Sequence, residues 1–353
     1  MILITRSYGK GGVANYYNSL RKYLPDHVKY CAVHNPDAKG MIKKLISFPG
    51  LFFRYLYLLL KSKVVCVNPS LYPNAYYRDM VLILVAKLMR KKIVVFFRGW
   101  DENFEFKISK SKIQKWLFKK TYGVVDKYIV LGSVFRDKLI SLGVKNTDSI
   151  YQETTVALPT EFDEVKIRNR IESASPINLL FLSRLVEGKG IDEALYIYEE
   201  LKKISDKRIN LMIAGDGPEL VRVQEKVMHA SLGDVTFLGD VRGEDKEKLL
   251  SESHILLFPS VTEGMPNTVL EAMSYGILVS STPVGGVPDI INDDENGFLF
   301  DLDNPGSVVK RINNVIDDRK RFLDMVLKSK ELSKSFSPDV VSQRLLNILS
   351  SWN

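Results

Sequence analysis

The sequence predicts an α/β protein made of two doubly wound domains in tandem, on three observations. The chain has 353 residues, more than a single hydrophobic core usually supports. Short β-rich runs recur along it and are apolar on both faces, the mark of strands buried in a parallel sheet. The stretches between runs suit crossover helices, and the rhythm breaks once, between about residues 155 and 175, in the polar text VALPTEFDEVKIRNRIESASP.

Five runs belong to the first half: residues 1–7 (MILITRS), 29–34 (KYCAVH), 63–68 (KVVCVN), 91–97 (KKIVVFF) and 127–132 (KYIVLG). Five more belong to the second: 177–183 (INLLFLS), 209–215 (INLMIAG), 234–239 (DVTFLG), 254–260 (HILLFPS) and 277–282 (ILVSST). Ser337-Pro338 then opens a last segment with helical spacing at Val340, Val341, Leu345, Leu346 and Leu349. The expected division is 1–165, 166–336 and a terminal helix over 337–353.

Composition is globular, with 45 % hydrophobic and 26 % charged residues. Cys31 and Cys66 sit in apolar, strand-like runs, so two buried thiols are expected rather than a disulfide or a metal site. The four histidines show no ligand spacing. The N-terminus runs straight into a strand with no sign of a signal peptide, and a reducing cytoplasm fits. The net charge of +8 conceals an asymmetry: residues 1–160 carry 27 Lys+Arg against 10 Asp+Glu, a net of +17, and the remainder carries −9. Such a basic half expects an anionic partner.

Residues 41–63 (MIKKLISFPGLFFRYLYLLLKSK) mix apolar, aromatic and basic side chains. The apolar stretch is shorter than the roughly 20 residues that span a bilayer, and Arg54 interrupts it. One reading is a helix burying its apolar face on the sheet. A second, compatible with it, lays the helix on a membrane surface with Lys43, Lys44, Arg54, Lys61 and Lys63 outward.

Four motifs carry chemistry. Gly9-Lys10-Gly11-Gly12 follows the first strand and precedes a helix, where glycine lets a ligand approach and helical N–H groups face a phosphate. It is not a G-x-G-x-x-G fingerprint. Arg184 and Lys189 lie between a strand end and a helix, two cations at the carboxyl edge of a parallel sheet, where diphosphates bind; two ordinary surface cations are the equal alternative. Gly215 and Gly217 form a turn after the next strand, which plain turn chemistry explains almost as well. The most informative text is FPSVTEGMPNTVLEAMSYG. There Glu263 precedes a helix and Glu271 lies within it, seven residues between, with Asn267 as the expected cap and Gly276 at the end. The stretch Met265, Pro266, Asn267, Thr268 and Val269 is expected to turn the N–H groups of its non-proline residues towards phosphate or sugar oxygens.

This text resembles family 4 of the retaining glycosyltransferases, over nearly the whole chain and most strongly from Leu179 to Phe300. The E-x7-E spacing with R-x4-K upstream carries the resemblance. It implies the GT-B fold: two facing Rossmann-like domains, an N-terminal acceptor domain and a C-terminal nucleotide-sugar domain, with the active site in the cleft between them. It implies that Glu263 contacts the donor sugar's hydroxyls and Glu271 the ribose. Arg184 and Lys189 hold the diphosphate, Gly11 and Gly12 close on the donor, and Gly215, Gly264 and residues 265–269 line the donor site. It implies no metal and no cofactor beyond a nucleotide-diphosphate sugar, UDP favoured over GDP, and a C-terminal helix that crosses back to the first domain.

One departure stands out. Where many members carry a His beside a Gly, this chain reads VVFFRGWDENF, with Arg98 in that place. An Arg does not act as an acid or base near neutral pH, but it neutralises a leaving phosphate. Asp101 close by is a candidate proton acceptor. An Arg98–Asp101 ion pair that merely holds the loop is the equal alternative. The expected function is sugar transfer to a lipid-linked glycan in cell-surface polysaccharide assembly, on the inner face of the membrane, with an anionic lipid surface and not nucleic acid as the partner of the basic half. Two alternatives remain open: a nucleotide-sugar epimerase, and a non-catalytic transferase relative that binds a sugar nucleotide or a partner.

Overall fold

The computed structural model describes residues 1–6, 12–33 and 41–352, with the backbone alone for residues 6 and 41–48. It divides into two compact units, Met1–Val156 with Pro338–Asn353, and Ala157–Ser337.

The first unit carries strands β1 (Ile2–Arg6), β2 (Val28–Ala32), β3 (Val64–Val67), β4 (Ser70–Leu71), β5 (Lys92–Phe96), β6 (Gly99–Trp100), β7 (Lys127–Val130) and β8 (Ile150–Gln152). Helices α1 (Gly12–Leu20), α2 (Met41–Leu60), α3 (Pro73–Leu88), α4 (Glu102–Lys110), α5 (Lys112–Lys120) and α6 (Ser133–Leu142) connect them. Six strands form one parallel sheet in the order β2-β1-β3-β5-β7-β8, and β4 pairs with β6 alone. All four residues of β3 are buried, as a run apolar on both faces requires. Strand β8 was not among the predicted runs, because three residues at a sheet edge carry too little pattern to read. Both cysteines are free and buried. Burial pushes the Cys66 thiol up to about 12, which leaves it inert.

The second unit begins its regular structure with α7 (Glu164–Glu172) and β9 (Ile177–Leu182). It continues through α8 (Ile191–Ile204), β10 (Ile209–Ala214), α9 (Leu220–His229), β11 (Val235–Gly239), α10 (Gly243–Glu252) and β12 (Ile255–Phe258). It ends with α11 (Asn267–Ser274), β13 (Leu278–Ser281), β14 (Gly297–Leu299), α12 (Val309–Asp317) and α13 (Arg319–Ser333). The parallel order β11-β10-β9-β12-β13-β14 places β9 in the middle. Chain order runs outward from β9 on one side and outward from β12 on the other. The β9/β12 junction is therefore the switch point, where sheets of this kind leave a crevice at their carboxyl edge.

The linker between the units falls earlier than residue 165. Ala157 donates its N–H to the Phe336 carbonyl at 2.9 Å, the Phe162 ring packs on Tyr275, and the Asp163 carboxylate caps α7 by accepting from the Lys166 N–H. Residues 157–165 are thus bonded into the second unit. The last helix, α14 (Pro338–Ser350), groups with the first unit. Arg344 Nε donates to the buried Glu153 carboxylate at 2.6 Å. Lys127 Nζ donates to the Ile348 carbonyl at 2.8 Å and to Ser351 Oγ at 3.0 Å, a cation on the negative end of the helix.

Candidate functional site

In the second unit two loops leave the carboxyl edge at the switch point. One joins β9 to α8 and carries Arg184 and Lys189. The other joins β12 to α11 and carries Glu263. Their backbones are stitched together, since Val261 donates its N–H to the Gly188 carbonyl at 2.9 Å. The stitch demands glycine: at Gly190, φ is +76° and a Cβ would stand 1.9 Å from the Pro259 carbonyl oxygen.

That close approach brings Lys189 Nζ to 2.6 Å from Glu263 Oε1. Both side chains are largely buried, 18 % and 17 % exposed. Ser260 Oγ donates to the same oxygen at 2.9 Å. With a cation and a hydroxyl on Oε1, the largely buried carboxylate is charge-compensated, while its Oε2 has no hydrogen bond among the described residues. Arg184 is exposed and makes no ion pair among the described residues. Its backbone is supported from below by Gly215, whose φ is +148° and whose Cβ would fall 1.8 Å from the Ser183 carbonyl oxygen. The Gly215 N–H is already spent on the Gly239 carbonyl at 2.7 Å, so it is not a free donor to a ligand.

Helix α11 corrects one expectation. Asn267 does not cap it. Pro266 occupies the N-cap position and Asn267 is the first helical residue, with no side-chain cap bond. Proline fits there because its fixed φ suits a helix entry and it has no N–H to satisfy. The N–H groups of Asn267, Thr268 and Val269, in the first helical turn, have no intrahelical acceptor. The side chains of Met265, Pro266 and Val269 are buried, so that stretch offers backbone rather than side chains to a ligand. Gly264 is held from behind: its carbonyl accepts from the Gly286 N–H at 2.7 Å, and a Cβ on Gly285 would stand 2.3 Å from that carbonyl oxygen. Neither Gly285 nor Gly286 was singled out from the sequence, although the pair stands at the end of a strand, which was the available signal.

Glu271 points from α11 to α10, where Lys246 Nζ reaches its Oε2 at 2.7 Å. Lys246 lies in the charged text GEDKEKLL, which reads as a solvated face, and only the packing shows its partner. Gly276 behaves as expected, with φ +60° just after α11, where a Cβ would press on Ile167.

In the first unit, Gly12 is the first residue of α1, while Gly9, Lys10 and Gly11 lie outside the described residues. Arg98 follows β5 at the carboxyl edge. Its guanidinium lies 4.0 Å from the Tyr16 ring centroid and 4.2 Å from that of Phe96, a cation on aromatic faces. Its Nη1 is buried without a hydrogen-bond partner. Asp101 does not pair with it. The Asp101 carboxylate caps α4, accepting from the Phe104 N–H at 3.0 Å. The loop-holding ion pair considered from the sequence is therefore replaced by a helix cap and an aromatic seat.

A cavity of about 700 Å³ opens elsewhere in the second unit, lined by Leu158, Thr160, Asp163, Ser274, Lys330 and Ser337 among others. None of the residues singled out for chemistry lines it. Among the described residues no cluster of three or more His, Cys, Asp or Glu is placed to hold a metal, and no helix is long and apolar enough to cross a membrane.

Comparison with known proteins meets the site at this point. The family model for glycosyl transferases group 1 matches residues 163–331, the stretch that holds Arg184, Lys189, Glu263 and Glu271. Residues 163–331 belong to that family. Among curated relatives, the chain is 27 % identical over 250 residues to a Campylobacter jejuni protein, covering 68 % of this chain and 64 % of that one. That protein is named GalNAc-α-(1→4)-GalNAc-α-(1→3)-diNAcBac-PP-undecaprenol α-1,4-N-acetyl-D-galactosaminyltransferase. The chain spans 64 %, 32 % and 54 % of the first three curated relatives it matches. Among solved structures, Anabaena HepE in complex with UDP superposes with a TM-score of 0.75 at 18 % identity, over 99 % of this chain and 100 % of that one. A glycosyltransferase from Rickettsia africae does so with 0.70 at 17 %, over 99 % of each chain. These likenesses show the fold, which is GT-B, with its two Rossmann-like sheets.

Proposed function

We propose that the protein is a retaining glycosyltransferase that moves a sugar from a nucleotide-diphosphate donor to a lipid-linked glycan in cell-surface polysaccharide assembly. The observation that carries this reading is the Lys189–Glu263 pair at the switch point of the second sheet, beside the unpaired Arg184 and the open N-terminus of α11. A diphosphate needs several positive contacts, which Arg184, Lys189 and the N–H groups of residues 267–269 supply together. A sugar needs an acceptor for its hydroxyls, which Glu263 supplies. Glu271, one turn into α11, is assigned to the ribose.

In the reaction so assigned, the bond between the anomeric carbon and the diphosphate oxygen breaks. The acceptor hydroxyl attacks from the same face, and its proton leaves with the departing phosphate. The positive groups stabilise the charge that grows on the leaving oxygen. Because they do this work, we assign no metal to the step, and transfer is expected to persist in a chelator. Arg98 is assigned to charge neutralisation rather than proton transfer. Asp101, spent on capping α4, is the weaker candidate for a catalytic role. UDP-sugar is the favoured donor, in keeping with the UDP found on the Anabaena neighbour. The lipid-linked acceptor is supported by the undecaprenol-linked glycan in the name of the Campylobacter relative and by the +17 balance of residues 1–160, which suits an anionic inner membrane face. The family match favours transfer over the epimerase and non-catalytic readings. The test is release of nucleotide diphosphate from UDP- and GDP-sugars with and without a polyprenyl-diphosphate-linked glycan. Release that depends on acceptor is the expected result. Release without acceptor, or none with any donor, would overturn the proposal.

A further inference from the structure

The strongest unexplained feature of the first unit is not α2 but the surface of α3, α4 and α5. Residues 107–120 contain six lysines and no carboxylate. Lys107, Lys110, Lys112, Lys119 and Lys120 are exposed, Lys115 is half-buried, and none of the six makes an ion pair among the described residues. Set among them are large apolar side chains that folding leaves in water. Ile113 is 71 % exposed, Trp116 59 % and Phe106 61 %. The preceding helix carries the same pattern: Tyr77, Val81, Leu84 and Leu88 stand at helical spacing along one stripe of α3, and Leu88 is 83 % exposed. The two surfaces adjoin, because Gln114 Nε2 of α5 donates to the Tyr77 hydroxyl at 2.8 Å and the Tyr77 ring lies 6.2 Å from that of Phe104 on α4.

An apolar stripe of this extent on a monomer marks an interaction surface. Its chemistry identifies the occupant. Lysines without carboxylate partners seek a diffuse negative field, and aromatic and aliphatic side chains interleaved with them seek a hydrocarbon boundary. Nucleic acid would match the charge but gives Leu84, Leu88 and Ile113 nothing to bury against. A protein partner would match the apolar stripe but not six unpaired cations over 14 residues unless it were strongly acidic. An anionic phospholipid surface satisfies both at once.

We propose that α3, α4 and α5 form the platform by which this chain docks on anionic lipid, with Trp116 and Ile113 inserted at the headgroup boundary and the lysines of residues 107–120 on the phosphates. This deepens the lipid-linked acceptor reading and rests on it. It also moves the contact from residues 41–63, where the sequence alone had placed it. Exposed Arg54, Lys61 and Lys63 on α2 and just beyond it are secondary.

The experiment measures partition of the full chain onto vesicles of phosphatidylglycerol with phosphatidylcholine, against phosphatidylcholine alone, over a salt series. Anionic vesicles are expected to bind, with binding weakened by salt. K107E/K110E/K112E is expected to weaken that binding on the order of 100-fold, from the contribution each cation makes at an anionic surface. W116A/I113A is expected to weaken it at least tenfold with the salt dependence unchanged. Brominated acyl chains are expected to quench the fluorescence of the wild type more than that of W116F, whose two remaining tryptophans are the buried Trp100 and the half-buried Trp352. Variants that bind vesicles like the wild type, or a wild type that ignores lipid charge, would overturn the proposal. So would a wild type that binds RNA but not vesicles in these salts. Transfer to an acceptor dispersed in detergent separates the two readings. If it survives while vesicle binding is absent, the platform is wrong and the transferase stands. If vesicle binding holds while transfer to every acceptor fails, the platform stands and the activity is wrong.

Discussion

Lys189 and Glu263 together make the sharpest test of the site. In the free protein the two charges neutralise one another at 2.6 Å, largely out of water. Replacing Lys189 by Met removes one charge-assisted contact to a diphosphate, about 1.5–3 kcal/mol, or roughly 10- to 150-fold in Kd. It also strands the Glu263 carboxylate beside the phosphates, so the loss is expected at or beyond the top of that range. Replacing Glu263 by Gln keeps an acceptor for Ser260 Oγ but frees the lysine, so UDP is expected to bind at least as tightly as to the wild type while turnover falls. In the double variant the repulsion is gone, and UDP binding is expected to recover part of what Lys189→Met lost. The assay is calorimetric titration of the four proteins with UDP, with uridine as the control and Tm recorded to confirm folding. A coupling of about 1–3 kcal/mol between the two substitutions is expected, on the scale seen for residues in contact. Additivity within about 0.5 kcal/mol, or equal losses for UDP and uridine, would refute the arrangement.

Other outcomes follow from the same geometry. Arg184→Ala is expected to weaken UDP binding roughly tenfold or more while leaving Tm unchanged, because the side chain is exposed and unpaired; a large fall in Tm would show a structural role instead. Glu271→Gln is expected to weaken binding of ribonucleotides more than of their 2′-deoxy counterparts, and Lys246→Met, which unties Glu271, to shift the same ratio; no change in either ratio would move the ribose contact elsewhere. Gly190→Ala is expected to destabilise the second unit by at least about 2 kcal/mol, from left-handed backbone strain added to a Cβ 1.9 Å from the Pro259 carbonyl, read as a lowered denaturation midpoint. His254 is buried, and its Nδ1 accepts from the Asn178 N–H at 3.0 Å. Burial first, and then Arg170, push its pKa down to about 4. Its folded pKa lies below the unfolded one near 6.5, so its contribution is full above pH 6.5 and is lost as pH falls towards 4. About 3 kcal/mol is at stake at 1.36 kcal/mol per pH unit. His254→Asn, which keeps an acceptor that does not titrate, is expected to flatten the pH dependence of Tm across that window; an unchanged slope would refute it.

The sequence by itself determined most of the strands, the double winding and the loops that matter. A strand buried on both faces is a local pattern, and so are a glycine forced to positive φ and a helix entry after proline. That is why the loop through Glu263 and the turn at Gly215 were legible before any coordinates. What lay beyond local pattern was decided by packing. Lys189 and Glu263 are 74 residues apart, and Lys246 and Glu271 are 25 apart. Such pairs exist only because parallel strands carry their carboxyl ends to one edge, and nothing in the text around Lys246 distinguishes it from a solvated lysine. Tertiary structure also set the Asp101 carboxylate on the N-terminus of α4 and gave Arg98 an aromatic seat. It bonded residues 157–165 into the second unit through the Ala157 N–H. The exposed stripe of α3 was hidden for the same reason. Tyr77, Val81, Leu84 and Leu88 share one stripe of α3 by spacing, and it is the burial of Tyr76, Leu82, Ile83 and Ala86 that leaves them outside. Helical spacing says that residues share a face; which face meets the core is settled by the neighbours that cover it.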